Sequence, residues 1–251
     1  MKSTWTKNMP AVGIAAYMIT DALHEIIGHG GICLLLGHHI DMLTSVYFKS
    51  HPGSAIVDIS GPIINLLFAM LVHVFLTDRK GLSLLTSLLL LSIMAYNFFW
   101  FAGTILQSGF SNSGDWTQII KESNIGAMGK VLLIIAGVIA YWISIKVIQV
   151  HVNRFRNTFT GFSLKQTFTY AWLAGAILAM LAGLFFKNDR LHAAMEGLLE
   201  MIGILPIVFI VKDKKTTISN YPPAPSWFFT ATIAVLLVVF CFTLGRGIYW
   251  A

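Results

Sequence analysis

Residues Pro10 to Leu36 read PAVGIAAYMITDALHEIIGHGGICLLL, an apolar run broken only by Thr20, Asp21, His24, Glu25 and His29. A bilayer-spanning helix needs about 20 largely apolar residues, and this run is long enough. Ionisable groups at that depth cost roughly 2.5–3.5 kcal/mol each on insertion scales. Asp21, His24, Glu25 and His29 fall within nine residues, a density that calls for a function. Two imidazoles and a carboxylate at His24-Glu25-x-x-x-His29 match the chemistry of a hydrolytic zinc site. There, neutral histidines hold the metal and a glutamate handles the proton of a water.

The rest of the chain makes the same medium its solvent. Of 251 residues, 56% are hydrophobic and 11% charged, against about 25% charged in a soluble domain. Spans are expected at about 10–36, 53–76, 82–107, 127–150, 167–187, 191–211 and 226–248. The fold class is therefore an all-α integral membrane protein, a polytopic bundle of six or seven helices. It forms a single membrane domain over 1–251, with a core at about 10–120 and additional helices over about 127–251. The net charge of +6 resides in short connectors, which reads as headgroup contact with the lipid bilayer and not as nucleic-acid binding. Lys2 and Lys7 ahead of the first span read as a retained signal-anchor. Ten Lys and Arg fall on the N-terminal side of seven spans and six on the other, which predicts a cytoplasmic N-terminus. Cys33 and Cys241 lie in separate apolar stretches, so no disulfide framework is expected.

The spacing of the motif poses a geometric problem. At about 100° per residue, histidines four apart diverge by about 40°, but His24 and His29, five apart, diverge by about 140°. Two arrangements are open. A single π-type turn between Glu25 and His29 absorbs one residue and brings both rings to one point, eased by Gly28. Alternatively the helix stays regular and Glu25 pairs with His29, with Asp21 a turn behind.

His24-Glu25-Ile26-Ile27-Gly28-His29-Gly30 with its following Leu-Leu-Leu-Gly resembles the active-site helix of the site-2 protease family of intramembrane zinc metalloproteases. Ser60-Gly61-Pro62-Ile63-Ile64-Asn65-Leu66-Leu67 is similar to that family's Gly-Pro-x-x-Asn signature on the next core helix. The spacer here is one residue longer, and the family's Asn-Pro/Asp-Gly loop is not reproduced. Its nearest counterpart is Ser111-Asn112-Ser113-Gly114-Asp115-Trp116. The resemblance implies Zn2+ held by His24, His29 and Asp115, with Asp58 and Glu196 as competing third ligands. It further implies Glu25 as general base and then acid, and Asn65 on the substrate backbone or oxyanion. The substrate class is a membrane-anchored protein, and a bacterial inner membrane is the expected location.

A second polar stripe, His192, Glu196 and Glu200, recurs every four residues on one helix face. Two other functions fit the same residues. One is a transporter or channel-like protein moving protons or divalent cations. The other is a non-peptidase metalloenzyme with an oxygen-rich site built from Asp21, Glu25, His29, Glu196 and Glu200. Of the remaining histidines, His38, His39, His51 and His151 are expected at solvated interfaces, and His73 is expected in a hydrogen-bonded interior position.

Overall fold

The computed structural model describes residues 9–79, 81–158, 163–212 and 227–250. Lys2 and Lys7 of the expected anchor, Lys80 and the Asp213-Lys214-Lys215 run lie outside the described residues.

Among the described residues, seven helices are long and apolar enough to cross a bilayer: α1 Met9–Leu35, α2 Ala55–Asp78, α3 Leu84–Phe110, α5 Gly126–Arg156, α6 Leu164–Phe185, α7 Arg190–Ile210 and α8 Trp227–Gly245. The chain is an all-α polytopic bundle. In hydrocarbon every backbone N–H and C=O must be paired within the segment, which leaves a helix as the form available to each run. The ends are fixed where hydroxyls and carboxylates satisfy the first orphan amides. Ser54 accepts from Ile56 N, Ser83 from Thr86 N, Ser163 from Gln166 N and Asp189 from His192 N.

The helices do not share burial equally. The apolar core of α3 is 72% buried and that of α5 only 17%, so α1 and α3 form the interior while α5 turns outward. Val131, Leu132, Ile135, Val138 and Trp142 of α5 are exposed, a surface that suits lipid. The interior of the bundle is closed by aromatics. Tyr17 of α1 packs against Trp100 of α3 and Phe240 of α8, with ring centroids 5.8 Å away in both cases.

The connector after α1 holds more than a turn. β1 (His39–Leu43) and β2 (Phe48–His51) form an antiparallel hairpin, with His39 opposite His51 and Leu43 opposite Phe48. β3 (Ile248–Tyr249), after α8, pairs on the other edge of β1. The resulting order is β2-β1-β3. The connector after α3 carries the short helix α4, Thr117–Glu122. His151 departs from the interfacial reading. It is buried and meets His73, Nε2 to Nδ1, at 2.7 Å, because α5 runs alongside α2 at that height.

Candidate metal centre

Leu23–Gly30 of α1 is π-helical, flanked by regular α-helix on both sides. The widened turn takes up the extra spacer residue, and the His24 and His29 rings meet edge to face with centroids 4.7 Å apart. Their Nε2 atoms lie 3.1 Å apart. This is the first of the two arrangements left open by the spacing.

Close approach of α2 completes the pairing. Gly28 of α1 meets Gly61 of α2 so tightly that a Cβ on Gly28 would sit 2.5 Å from the Gly61 Cα. Gly61 itself faces the imidazoles: a Cβ there would lie 2.5 Å from His29 Nε2 and 2.8 Å from His24 Nε2. Only hydrogen on that α-carbon leaves the point between the rings open.

The tautomers follow from acceptors that cannot donate. His29 Nδ1 is 2.8 Å from the Val57 carbonyl oxygen, so this nitrogen carries the hydrogen. His24 Nδ1 is 2.5 Å from Asn65 Oδ1. The orientation of that amide is fixed in turn, because Asn65 Nδ2 donates to the Thr20 carbonyl at 3.3 Å and to Asn97 Oδ1 at 2.7 Å. Asn97 is oriented by its own donations to the Ile93 carbonyl and Thr20 Oγ1. His24 therefore also donates from Nδ1. Both Nε2 atoms present lone pairs to the same point, the arrangement by which outer hydrogen bonds prepare metal-ligating histidines.

Asp115 closes the third side. Its carboxylate oxygens lie 3.3 Å from His24 Nε2 and 3.7 Å from His29 Nε2. The loop is held down by Trp116, whose backbone N–H donates to Ser108 Oγ and whose indole donates to Thr104 Oγ1. Gly114 makes the bend at φ +111°, a conformation that favours glycine. Asp115 does not cap α4; the capping position is Trp116, with no side-chain cap bond.

Zinc ligands at 2.0–2.1 Å in tetrahedral array sit about 3.3 Å from one another. The two Nε2 atoms are 3.1 Å apart, and one Asp115 oxygen lies 3.3 Å from His24 Nε2 while the other lies 3.7 Å from His29 Nε2. Separations of this size would suit a tetrahedral cation such as zinc. Glu25 adds a carboxylate: one ligand atom each from His24, Glu25 and His29 fall within 4.8 Å of one another. Glu25 Oε2 has no hydrogen-bond partner.

Of the competing ligands, Asp58 and Glu196 line the cavity in front of the histidines. Glu196 pairs with His192 at 3.6 Å. Asn65 is fully buried, and its oxygen and both amide hydrogens are engaged within the protein. Asn65 is a positioning residue for His24. Asn65→Ala should weaken zinc about 10–100-fold, the usual cost of losing an outer-shell partner, measured by titration against a competing chelator. Unchanged affinity would mean that His24 needs no such support.

The sequence reading missed Asn97 and Thr20. Asn97 did carry a signal, a lone amide in an apolar span, where polar groups mark function or helix pairing. The Val57 carbonyl carried none, being backbone.

The cavity has a volume of about 590 Å³, within the range of small-ligand sites. Its floor is His24, Glu25, His29 and Asp115; its other walls are the β1–β2 hairpin with Tyr47 and Phe48, and α7 with His192, Glu196 and Glu200. Phe48 stacks on His29 with centroids 5.3 Å apart. Comparison of the chain with protein-family models, curated proteins and solved structures finds no match.

Proposed function

We propose that this chain is an intramembrane zinc hydrolase, a divergent relative of the site-2 protease family that acts as a peptidase on membrane-anchored proteins. The observation that carries the reading is the pair of imidazole Nε2 atoms 3.1 Å apart whose Nδ1 nitrogens are both committed as donors. His24, His29 and Asp115 would hold the zinc, which when bound supplies the Lewis acidity that makes a water nucleophilic near neutral pH. Glu25 accepts the proton of that water through its unpartnered oxygen and passes it to the leaving amine nitrogen as the C–N bond breaks. Asn65 and the Val57 carbonyl keep the two rings aimed throughout. A helical substrate hides its carbonyls in the i to i−4 ladder, so the cleaved segment must unwind. A cavity walled on one side by a hairpin instead of a packed helix leaves room for this.

The excess of basic connectors on the N-terminal side supports a cytoplasmic N-terminus in a bacterial inner membrane. The cavity draws on residues 42–49, 113–115 and 186–189, all at the other end of the bundle. In this orientation it opens away from the cytoplasm.

One observation favours a second reading, proton transport: Asp21 is fully buried and neither of its oxygens has a partner. Purified full-length protein should carry about one zinc per chain, lost in His29→Ala and in Asp115→Ala. Zinc retained in Asp115→Ala but lost in Asp58→Ala or Glu196→Ala would reassign the third ligand. A protein without zinc that carries protons across vesicle membranes would replace the hydrolase reading with the transporter.

A further inference from the structure

The wall facing the metal centre has chemistry that the hydrolytic reading does not use. Asp58, Asp189, Glu196 and Glu200 line the cavity, against Lys49 as the one Lys or Arg among its lining residues. Glu25 and Asp115 also line it, but two carboxylates beside a divalent cation balance its charge. Asp58, Asp189 and Glu196 outnumber Lys49 and leave a net negative field in a low-dielectric cleft, which concentrates cations. Tyr47 registers that field: burial first, then the charges of Glu196, Asp189 and Glu200, push its phenol up to about 12.

Residues that line this space carry polar atoms without partners. Glu25, 4% exposed, has Oε2 free, and Glu200 Oε2 and the Tyr47 hydroxyl are likewise shut from solvent with no hydrogen bond. A buried carboxylate left unpaired is costly, and a ligand that brings donors removes the cost. The ligand is larger than a metal ion. Glu196 and Glu200 stand one helical turn apart, about 6 Å along the axis, and Glu196 engages His192 instead of converging with Glu200. An extended organic cation can reach along this stripe while the rest of its chain crosses to the metal side.

We infer that the substrate segment carries a Lys or Arg side chain close to the cleaved bond, seated against Glu196 and Glu200 of α7. This rests on the hydrolase reading for the position of the cleaved bond, while the charge preference belongs to the α7 wall. A long basic side chain suits the site because its stem covers Tyr47 and Phe186 while its head reaches the carboxylates.

The test uses zinc-loaded, full-length Glu25→Gln protein in detergent, so that ligands bind without turnover. Probes are N-acetylated pentapeptides alike except for a central Lys, norleucine or Glu, each with a fluorophore. The Lys peptide should bind at least about tenfold more tightly than the norleucine peptide, and the Glu peptide most weakly. Glu196→Gln with Glu200→Gln should abolish the preference. Should that double variant not fold, Glu196→Lys, altered at a partly exposed position, should shift the preference toward the Glu peptide. Equal binding of the Lys and norleucine peptides, or a Lys preference that survives these changes, overturns the inference. Zinc content measured on the same samples separates this failure from failure of the hydrolase reading, which a protein without zinc would show.

Discussion

Glu25→Gln should retain the zinc of the unmodified protein and lower cleavage of an anchored substrate about 10²–10⁴-fold, the usual contribution of a positioned acid–base group. The substitution keeps shape and hydrogen-bonding capacity but removes the ability to take a proton. His24, His29 and Asp115 already supply three donor groups at 3.1–3.7 Å separations, so metal retention does not require Glu25. Metal analysis and a cleavage assay on the same preparation check both halves. Loss of zinc in Glu25→Gln would make the carboxylate a ligand and leave the proton transfer without an owner.

Gly61→Ala should abolish zinc binding outright while the bundle remains folded. The added methyl carbon would sit 2.5 Å from His29 Nε2 and 2.8 Å from His24 Nε2, inside the space a cation would take. Neither ring can retreat without breaking its Nδ1 hydrogen bond to Val57 or Asn65. Helicity by circular dichroism should be unchanged, since alanine favours helix over glycine by about 1 kcal/mol. A Gly61→Ala protein with full zinc content would show that the two helices separate easily and that the tight contact with Gly28 is not needed.

Much of this architecture was legible in the chain because lipid imposes few options. Runs such as Trp227–Gly245 have nothing to become but helices, and their observed limits lie within three residues of those read from hydropathy, except that α5 continues six residues past its expected end to Arg156. The π-turn was legible for a similar reason: two histidines five apart converge only if one residue is absorbed. What could not be read is whatever depends on which helices touch. His24 finds its partner 41 residues away in Asn65, and no local pattern in α1 names it. The hairpin at 39–51 was hidden because Gly, Ser and His in a connector are equally at home in a loop. His151 looked interfacial by position and is instead buried against His73, a fact of helix pairing with no trace in either segment alone.

The amide ladder of Thr20, Asn65 and Asn97 also bears on how the protein is made. His24 receives its aim from the second span, the second span receives its aim from the third, and Asp115 arrives only after the third is complete. At about 5–20 residues per second, synthesis from His24 to Asp115 takes roughly 5–18 s, during which the first helix sits in the membrane with its polar groups unmatched. A nascent chain in that interval has histidines but no finished donor set. The proposed metal centre is therefore completed late, when four separate stretches of chain have already assembled, and a product that stops before Asp115 lacks the third donor.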